Sequence, residues 1–297
     1  MMDLVVRAPR LPQVGESLLA HDLRMFVGGK GGNQALAALR AGAGPVSIIG
    51  RVGLDAFGDQ IVETLESNGL DCRQISRDPE VGTGVAVPIV FDDGQNSIFA
   101  IPRANLQLSD GDIDAAADAI RSARMLLVQF EVSMAATVRA MEIAREAGVR
   151  VLLNPAPIAP HPPEILALAT YLVVNEVEAA ALAPGADGDH LAEARLLLSA
   201  GSAAVFVTLG EQGSIVVSEG LAEFVAPFSV EAIDSVGAGD AYCGALAVAL
   251  VEGLGLLESA RFASAAGACS VRHPGAAASL PPRAEIEAML VRGEPAG

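Results

Sequence analysis

Asp234 and Asp240 stand six residues apart in DSVGAGDAYCGALAVAL (234–250), with Gly237, Ala238 and Gly239, which have almost no side chain, just before the second acid. If a helix begins near Ala238, its free N–H groups and positive dipole end face whatever precedes it, which suits a phosphate or negative charge growing on one. The glycines clear side chains from a place where backbone can approach a ligand. An acid in a first helical turn also simply complements the dipole, so Asp240 alone decides nothing. Together with the glycines and Asp234, it resembles an anion hole with a base beside it.

A second loop, VGGKGGNQALAALRAG (27–42), sets four glycines around Lys30 and opens a helix at Asn33. Flexible backbone lets a ligand come close, and Lys30 and Asn33 offer donors to hydroxyls or anions. A tight turn before a helix is the plainer reading, and both stay open here. The loop is not a phosphate-binding Walker loop, because Gly31 follows Lys30 where Ser or Thr would bind magnesium, and no GxGxxG occurs in the chain. Asn175 and Glu178 in VVNEVEA could hold a magnesium-bound water or cap a helix. Gly210 and Gly213 in VTLGEQGSIVV could pass a nucleotide or turn a hairpin. Glu131 ends the strand-like LLVQFE, where a buried carboxylate would need amide or hydroxyl partners. The four histidines, His21, His161, His190 and His273, lack metal-ligand spacing, and no GxSxG elbow is present, which disfavours zinc chemistry and a serine hydrolase.

Such loops need strands and helices to aim them. Apolar runs at 46–50, 124–130, 149–153, 171–174 and 204–209 read as buried parallel strands. Helical patterns lie between them, as in DAFGDQIVETLESNG, with Asp55 as N-cap and Gly69 as the stop, and in DHLAEARLLLSAG. This is the βαβ pattern of a sheet covered on both faces, and ligands of such sheets sit beyond the carboxyl ends of the strands. Residues 1–27 have little helical period, and 81–101 read as two strands around an Asp93-Gly94 turn, together an antiparallel flap over one edge. No repeat or linker divides the 297 residues, so one domain is expected, with flap segments at about 4–27 and 81–101.

A composition that is 52% hydrophobic and 4% aromatic suits a core of Ala, Val, Leu and Ile between helices and a sheet. The net charge of −17 would repel nucleic acid and anionic membrane alike. Cys72, Cys243 and Cys269 are odd in number and far apart, and read as small buried hydrophobes rather than a disulfide framework. The opening residues lack a signal-peptide core, and no uncharged apolar run reaches the ~18 residues of a spanning helix, so a soluble cytoplasmic protein is expected.

GGKGGNQA (28–35), LLNPAP (152–157), NEVE (175–178), TLGEQG (208–213), DSVGAGD (234–240) and GAAASLP (275–281) occur in the order and spacing of one family. Over essentially its whole length the chain resembles the ribokinase-like sugar kinases, also called the phosphofructokinase B family. GGKGGNQA and NPAP are closer to the ribose branch than to the fructose or adenosine branches. The resemblance implies a three-layer α/β/α domain with a small antiparallel β-lid that often pairs two subunits. It implies transfer of the ATP γ-phosphate to O5 of D-ribose, with a deoxyribose, fructose or nucleoside kinase as alternatives. A catalytically impaired binding paralogue is a further alternative.

By the same resemblance, Asp240 matches the catalytic base, and Gly237, Ala238 and Gly239 match the anion hole. Asp3, Gly29, Lys30, Gly31, Gly32, Asn33 and Glu131 match sugar contacts. Asn175, Thr208, Leu209, Gly210, Glu211, Gln212, Gly213, Gly239 and Ser264 fall where the family contacts ATP, and Glu178 where it organises magnesium. Asp234, Val236, Ser270, His273, Gly275 and Ser279 fall where ribokinase-like enzymes hold potassium. Three departures stand out. Ser235 replaces a common Thr, and Arg103 in IPRAN stands where Gly is usual. Met1 takes the place of a sugar-binding Asn at the end of a first strand, which leads us to expect a native start about ten residues upstream and, without that strand, two open ladder edges.

Overall fold

Four apolar runs that end in Gln129, Asn154, Asn175 and Thr208 become adjacent parallel strands whose side chains alternate between two cores. The computed structural model describes residues 1–92, 95–186 and 188–293. Its strands are β1 (Met2–Ala8), β2 (Asp22–Val27), β3 (Ser47–Gly53), β4 (Asp71–Asp78), β5 (Val85–Phe91), β6 (Asn96–Ile101), β7 (Met125–Gln129), β8 (Arg150–Asn154), β9 (Tyr171–Asn175), β10 (Ala204–Thr208), β11 (Ser214–Ser218) and β12 (Leu221–Val225). Its helices are α1 (Lys30–Arg40), α2 (Ala56–Ser67), α3 (Asp110–Ala115), α4 (Ala117–Ser122), α5 (Met134–Glu146), α6 (Ile165–Leu168), α7 (Glu176–Leu182), α8 (His190–Ser199), α9 (Ala238–Glu252), α10 (Leu256–Ser270), α11 (Ala276–Ser279) and α12 (Arg283–Arg292).

The main sheet has the order β12-β11-β10-β9-β8-β7, parallel from β7 to β10 and antiparallel in the last two strands. Val151, Leu153, Leu172, Val174, Val205 and Val207 pack on one face with residues of α3 to α8. Their neighbours Leu152, Val173 and Phe206 pack on the other face with Tyr242, Cys243 and Leu246 of α9 and Ala263 of α10. A strand's period of two thus feeds two helical layers, and burial on both faces is why these runs are apolar at every position. Every residue of α9 from Asp240 to Leu250 is buried, which explains a helix with no polar stripe. Gly210 and Gly213 turn the antiparallel hairpin from β10 to β11, as one reading of that loop expected, and β12 pairs on beyond it.

A second sheet has the order β2-β1-β5-β6. The expected antiparallel flap needs correcting here. The sheet has four strands, and its middle pair, β1 and β5, is parallel, because residues 2–8 and 85–91 enter it from separate excursions of the chain. The outer pairs, β1–β2 and β5–β6, are antiparallel. The expected Asp93-Gly94 turn lies outside the described residues.

β3 and β4 form a parallel pair apart from both sheets. Among the described residues, β3 has only β4 as ladder partner and β7 only β8. Half-buried Ile49 of β3 and Leu126 and Val128 of β7 pack against the same core. β4 was not anticipated, since DCRQISRD carries four charges and sits at an edge. The three cysteines are free and buried, and burial pushes the thiols of Cys72 and Cys269 up to about 11. Among the described residues no helix is long and apolar enough to cross a membrane.

Candidate active site

The N-terminal turns of α1 and α9 meet because Gly244 removes a side chain between the two helices. A Cβ there would fall 2.5 Å from Cβ of Ala37 and 2.6 Å from the backbone nitrogen of Ala38. The close approach brings Asn33 and Gln34 against Asp240, which is buried one turn before Gly244. Asn33 donates from Nδ2 to Asp240 Oδ2 at 3.0 Å, and Gln34 donates from Nε2 to Oδ1 at 3.0 Å. Each oxygen of the carboxylate keeps a lone pair for a further donor.

Lys30 at the start of α1, Asp3 on β1 of the second sheet and Glu131 just after β7 lie around the same place. Glu131 accepts the Lys30 backbone N–H at 2.7 Å, the amide partner a buried carboxylate needs, and Asn105 donates to the Glu131 carbonyl at 3.2 Å. Burial pushes the carboxyls of Glu131, Asp3 and Glu178 above the usual range, and the Asp240 carboxylate adds to the rise in all three. Burial pulls the Lys30 ammonium down, but Asp240 and Glu131 more than offset that, so it stays above its ordinary value and remains charged. Met1 reaches the same place and donates from its nitrogen to the Gly28 carbonyl at 3.2 Å.

The turn before α9 has Gly237 at φ 87°, and a Cβ there would come 2.9 Å from Cα of Ala276. Only glycine fits that combination of left-handed backbone and contact. The Ala238 N–H bends back to the Ser235 carbonyl at 3.3 Å. Of the three expected anion-hole residues, Ala238 therefore has its amide engaged, and Gly239 offers a first-turn N–H without an intrahelical acceptor. Asp234 Oδ1 accepts from Val236 N at 3.0 Å and Oδ2 from Gly275 N at 2.8 Å, which ties the turn to the loop before α11. Ser270 and Ser279 share a 2.8 Å hydroxyl contact behind that loop, while the His273 side chain is exposed and lies 3.9 Å from Glu285.

At the carboxyl edge of the sheet, Asn175 caps α7, accepting from Glu178 N at 2.8 Å while Glu178 accepts from Asn175 N at 3.0 Å. The capping reading of that pair is thus realised, and a water-filled magnesium shell could still approach the remaining carboxylate oxygen. Thr208 ends β10 beside Asn175 and hydrogen-bonds the Val174 carbonyl at 3.4 Å. Leu209 and the turn Gly210–Gln212, which includes Glu211, then lead to Gly213. Ser264 is half-buried on α10. Among the described residues, no group of three or more His, Cys, Asp or Glu side chains could hold a metal ion.

The sequence reading missed Gln34, Gln129, Asn154 and Asn105. The first three form a hydrogen-bonded chain to Asp240, and the signal for Gln129 and Asn154 was that each is the polar residue closing one of two adjacent apolar strands, the two opposite each other. Arg103 has a left-handed backbone, φ 45°, the conformation that explains why Gly is usual there.

The model of the pfkB family carbohydrate kinases matches residues 1–283. The chain belongs to the pfkB family. As a pfkB carbohydrate kinase it is similar to mouse ribokinase, 35% identical over 98% of this chain and 92% of that protein. It is also similar to Bacillus subtilis ribokinase, 36% identical over 97% and 96%, and to Salmonella typhimurium deoxyribokinase, 34% identical over 95% and 93%. Among solved structures, Thermotoga maritima ribokinase superposes with a TM-score of 0.90 at 33% identity, covering 98% of this chain and 96% of that one. Arabidopsis thaliana ribokinase complexed with ribose and ATP superposes at 0.87 and 31% identity, covering 97% and 95%. The family's ribokinase-like α/β fold is thus shared across nearly the full length.

Proposed function

We infer that this pfkB kinase transfers the γ-phosphoryl group of ATP to O5 of D-ribose, giving ribose 5-phosphate and ADP. The observation that carries the reading is Asp240, a buried carboxylate at a helix start, with an amide on each oxygen and a side-chain-free turn beside it. The hydroxyl proton passes to Asp240 as the sugar oxygen attacks the γ-phosphorus. The bond from phosphorus to the β–γ bridging oxygen breaks, and ADP leaves with that electron pair. Phosphoryl transfer asks mainly for positioning and for stabilisation of charge, which the Gly239 N–H and the Lys30 ammonium supply.

Asp3, Gly29, Lys30, Gly31, Gly32, Asn33 and Glu131 hold the sugar in this reading. Asn175, the run from Thr208 to Gly213, and Ser264 hold ATP. Glu178 fits a magnesium ion that keeps most of its waters and binds through phosphate. Asp234 with the carbonyls of Val236, Ser270, His273 and Gly275 and the Ser279 hydroxyl is an all-oxygen set with one formal charge, which fits a potassium ion. Bound there, potassium would brace the turn before α9. Leu23, Met25, Phe26, Ile98, Phe99 and Ile101 leave apolar area exposed on the second sheet, which supports reading it as a lid through which two cytoplasmic subunits pair.

The similarity to a deoxyribokinase favours 2-deoxyribose as a second acceptor. A coupled assay of ADP release with ribose, deoxyribose, fructose and adenosine, with and without potassium, tests all of this. The expected result is the highest kcat/KM for ribose, and turnover confined to adenosine or fructose would overturn the assignment. Asp240→Asn should abolish turnover while ATP binding stays.

A further inference from the structure

The buried amide of Gln34 could turn either end toward Asp240, its NH2 or its oxygen, and only the NH2 helps a carboxylate. Gln34 is fully buried, and Asn154 and Asp240 are nearly so. What fixes the choice lies two residues away. The main-chain carbonyl of Val173, in the middle of β9, can only accept, and it takes Asn154 Nδ2 at 3.0 Å. Asn154 must then present Oδ1 to Gln34, where it accepts Nε2 at 3.1 Å. The same NH2 group spans Asn154 Oδ1 and Asp240 Oδ1. Gln34 Oε1 is left facing the end of β7, and it accepts Gln129 Nε2 at 2.6 Å. Turning over either Asn154 or Gln34 would set acceptor against acceptor in a place without solvent to repair the loss.

We propose that Gln34 is the positioning residue of the catalytic carboxylate, and that Asn154 and Gln129 act through it by fixing which end of its amide faces Asp240. This rests on the reading of Asp240 as the base. Asn33 and Gln34 together hold the carboxylate plane from both oxygens, one donor each, so the remaining lone pairs keep a constant direction toward the sugar hydroxyl. The orientation is dictated by the sheet: a β9 carbonyl, which no side-chain motion can reverse, sets the polarity of the run Val173–Asn154–Gln34–Asp240. Lys30, Glu131, Asp3 and Glu178 are the other charged groups around Asp240, and they act on parent and variant alike.

Four variants test this beside the parent, each with kcat and KM for ribose and for ATP across pH 6–8. Asp240→Asn checks the base. Gln34→Leu removes the donor at similar volume and is expected to lower kcat about tenfold to hundredfold with both KM values within about twofold, a portion of what a positioned base contributes. Gln34→Glu sets carboxyl against carboxylate. Its kcat relative to the parent is expected to rise as the pH falls from 8 to 6, because a protonated carboxyl restores the donor; a merely structural role would not produce that trend. Gln129→Met, at the half-buried end of the run, keeps the fold if the buried changes do not, and is expected to lower kcat several-fold at unchanged KM. If Asp240→Asn is inactive but Gln34→Leu or Gln129→Met turns over like the parent, the base stands and the positioning role falls. A Gln34→Leu loss expressed in KM for ribose would also overturn it, making Gln34 a substrate contact. Turnover by Asp240→Asn would overturn the reading beneath it.

Discussion

Arg103 donates from Nη1 to the Thr83 carbonyl at 3.3 Å, and its guanidinium lies over Gly82 so closely that a Cβ there would have to push it aside. Thr83 is gripped from the other side by Asp55, the N-cap of α2, through its backbone N–H at 2.8 Å and its hydroxyl at 2.6 Å. The strand β5 leaves for the second sheet two residues later. The stretch 82–84, which would otherwise swing with two glycines in three positions, is therefore held between a cap and a latch.

Arg103→Gly should leave global stability within ~1 kcal/mol, since the relief of a left-handed side chain, roughly 1–2 kcal/mol, offsets one lost hydrogen bond of about 0.5–1.5 kcal/mol. The change should appear instead as several-fold higher KM for the sugar and faster amide exchange across residues 82–91. Denaturant midpoints, kinetics and hydrogen exchange read the three effects separately.

Gly244→Ala should destabilise the protein by about 1–3 kcal/mol through overpacking against Ala37 and Ala38. Because the same contact sets the distance from Asn33 and Gln34 to Asp240, kcat should fall well beyond any loss of folded protein. Urea titration beside kcat per folded molecule checks this, and a variant that folds and turns over like the parent would contradict it.

Glu131→Gln should have a pH-dependent effect on stability. Burial holds the folded Glu131 carboxyl above its unfolded value of ~4.3, so its favourable contribution is complete below ~4.3 and is lost as pH rises through the folded value. The amide does not titrate. The stability of Glu131→Gln relative to the parent should therefore improve from pH 4.5 to pH 8, while sugar turnover is lost at both. Urea unfolding at the two pH values is the measurement, and a flat difference counts against it.

Asp234→Ala should free the backbone N–H groups of Val236 and Gly275, loosening the turn that carries Gly237. A loss of about 1–3 kcal/mol is expected for the two abandoned amides. The ratio of kcat with potassium to kcat without it should drop toward one.

The main sheet was legible because strands buried on both faces leave no position free to be polar, and because each run from β7 to β10 closes on Gln129, Asn154, Asn175 or Thr208 at the edge where ligands gather. The capping of α2 by Asp55 and of α7 by Asn175 was readable for the same local reason: a cap and its partner lie three residues apart. β4 was hidden because an edge strand can carry Asp71, Arg73, Arg77 and Asp78 without burying a free charge; its buried Asp78 is met by Arg51. The parallel pairing of β1 with β5 was hidden too, since strand character says nothing about which strand lies alongside. Gln34 escaped notice because nothing in NQALAAL separates it from a solvated helical residue until α9 is laid across it.

Asp240 meets Gln34 and Asn33 across 206 and 207 residues of chain. Neighbouring strands from β7 to β10 can pair over much shorter loops, and contacts that close long loops form late. Refolding should therefore regain its circular dichroism before it regains turnover. On the ribosome, no nascent chain that ends before Asp240 can possess the site, however many of the strands β7 to β10 it has already made.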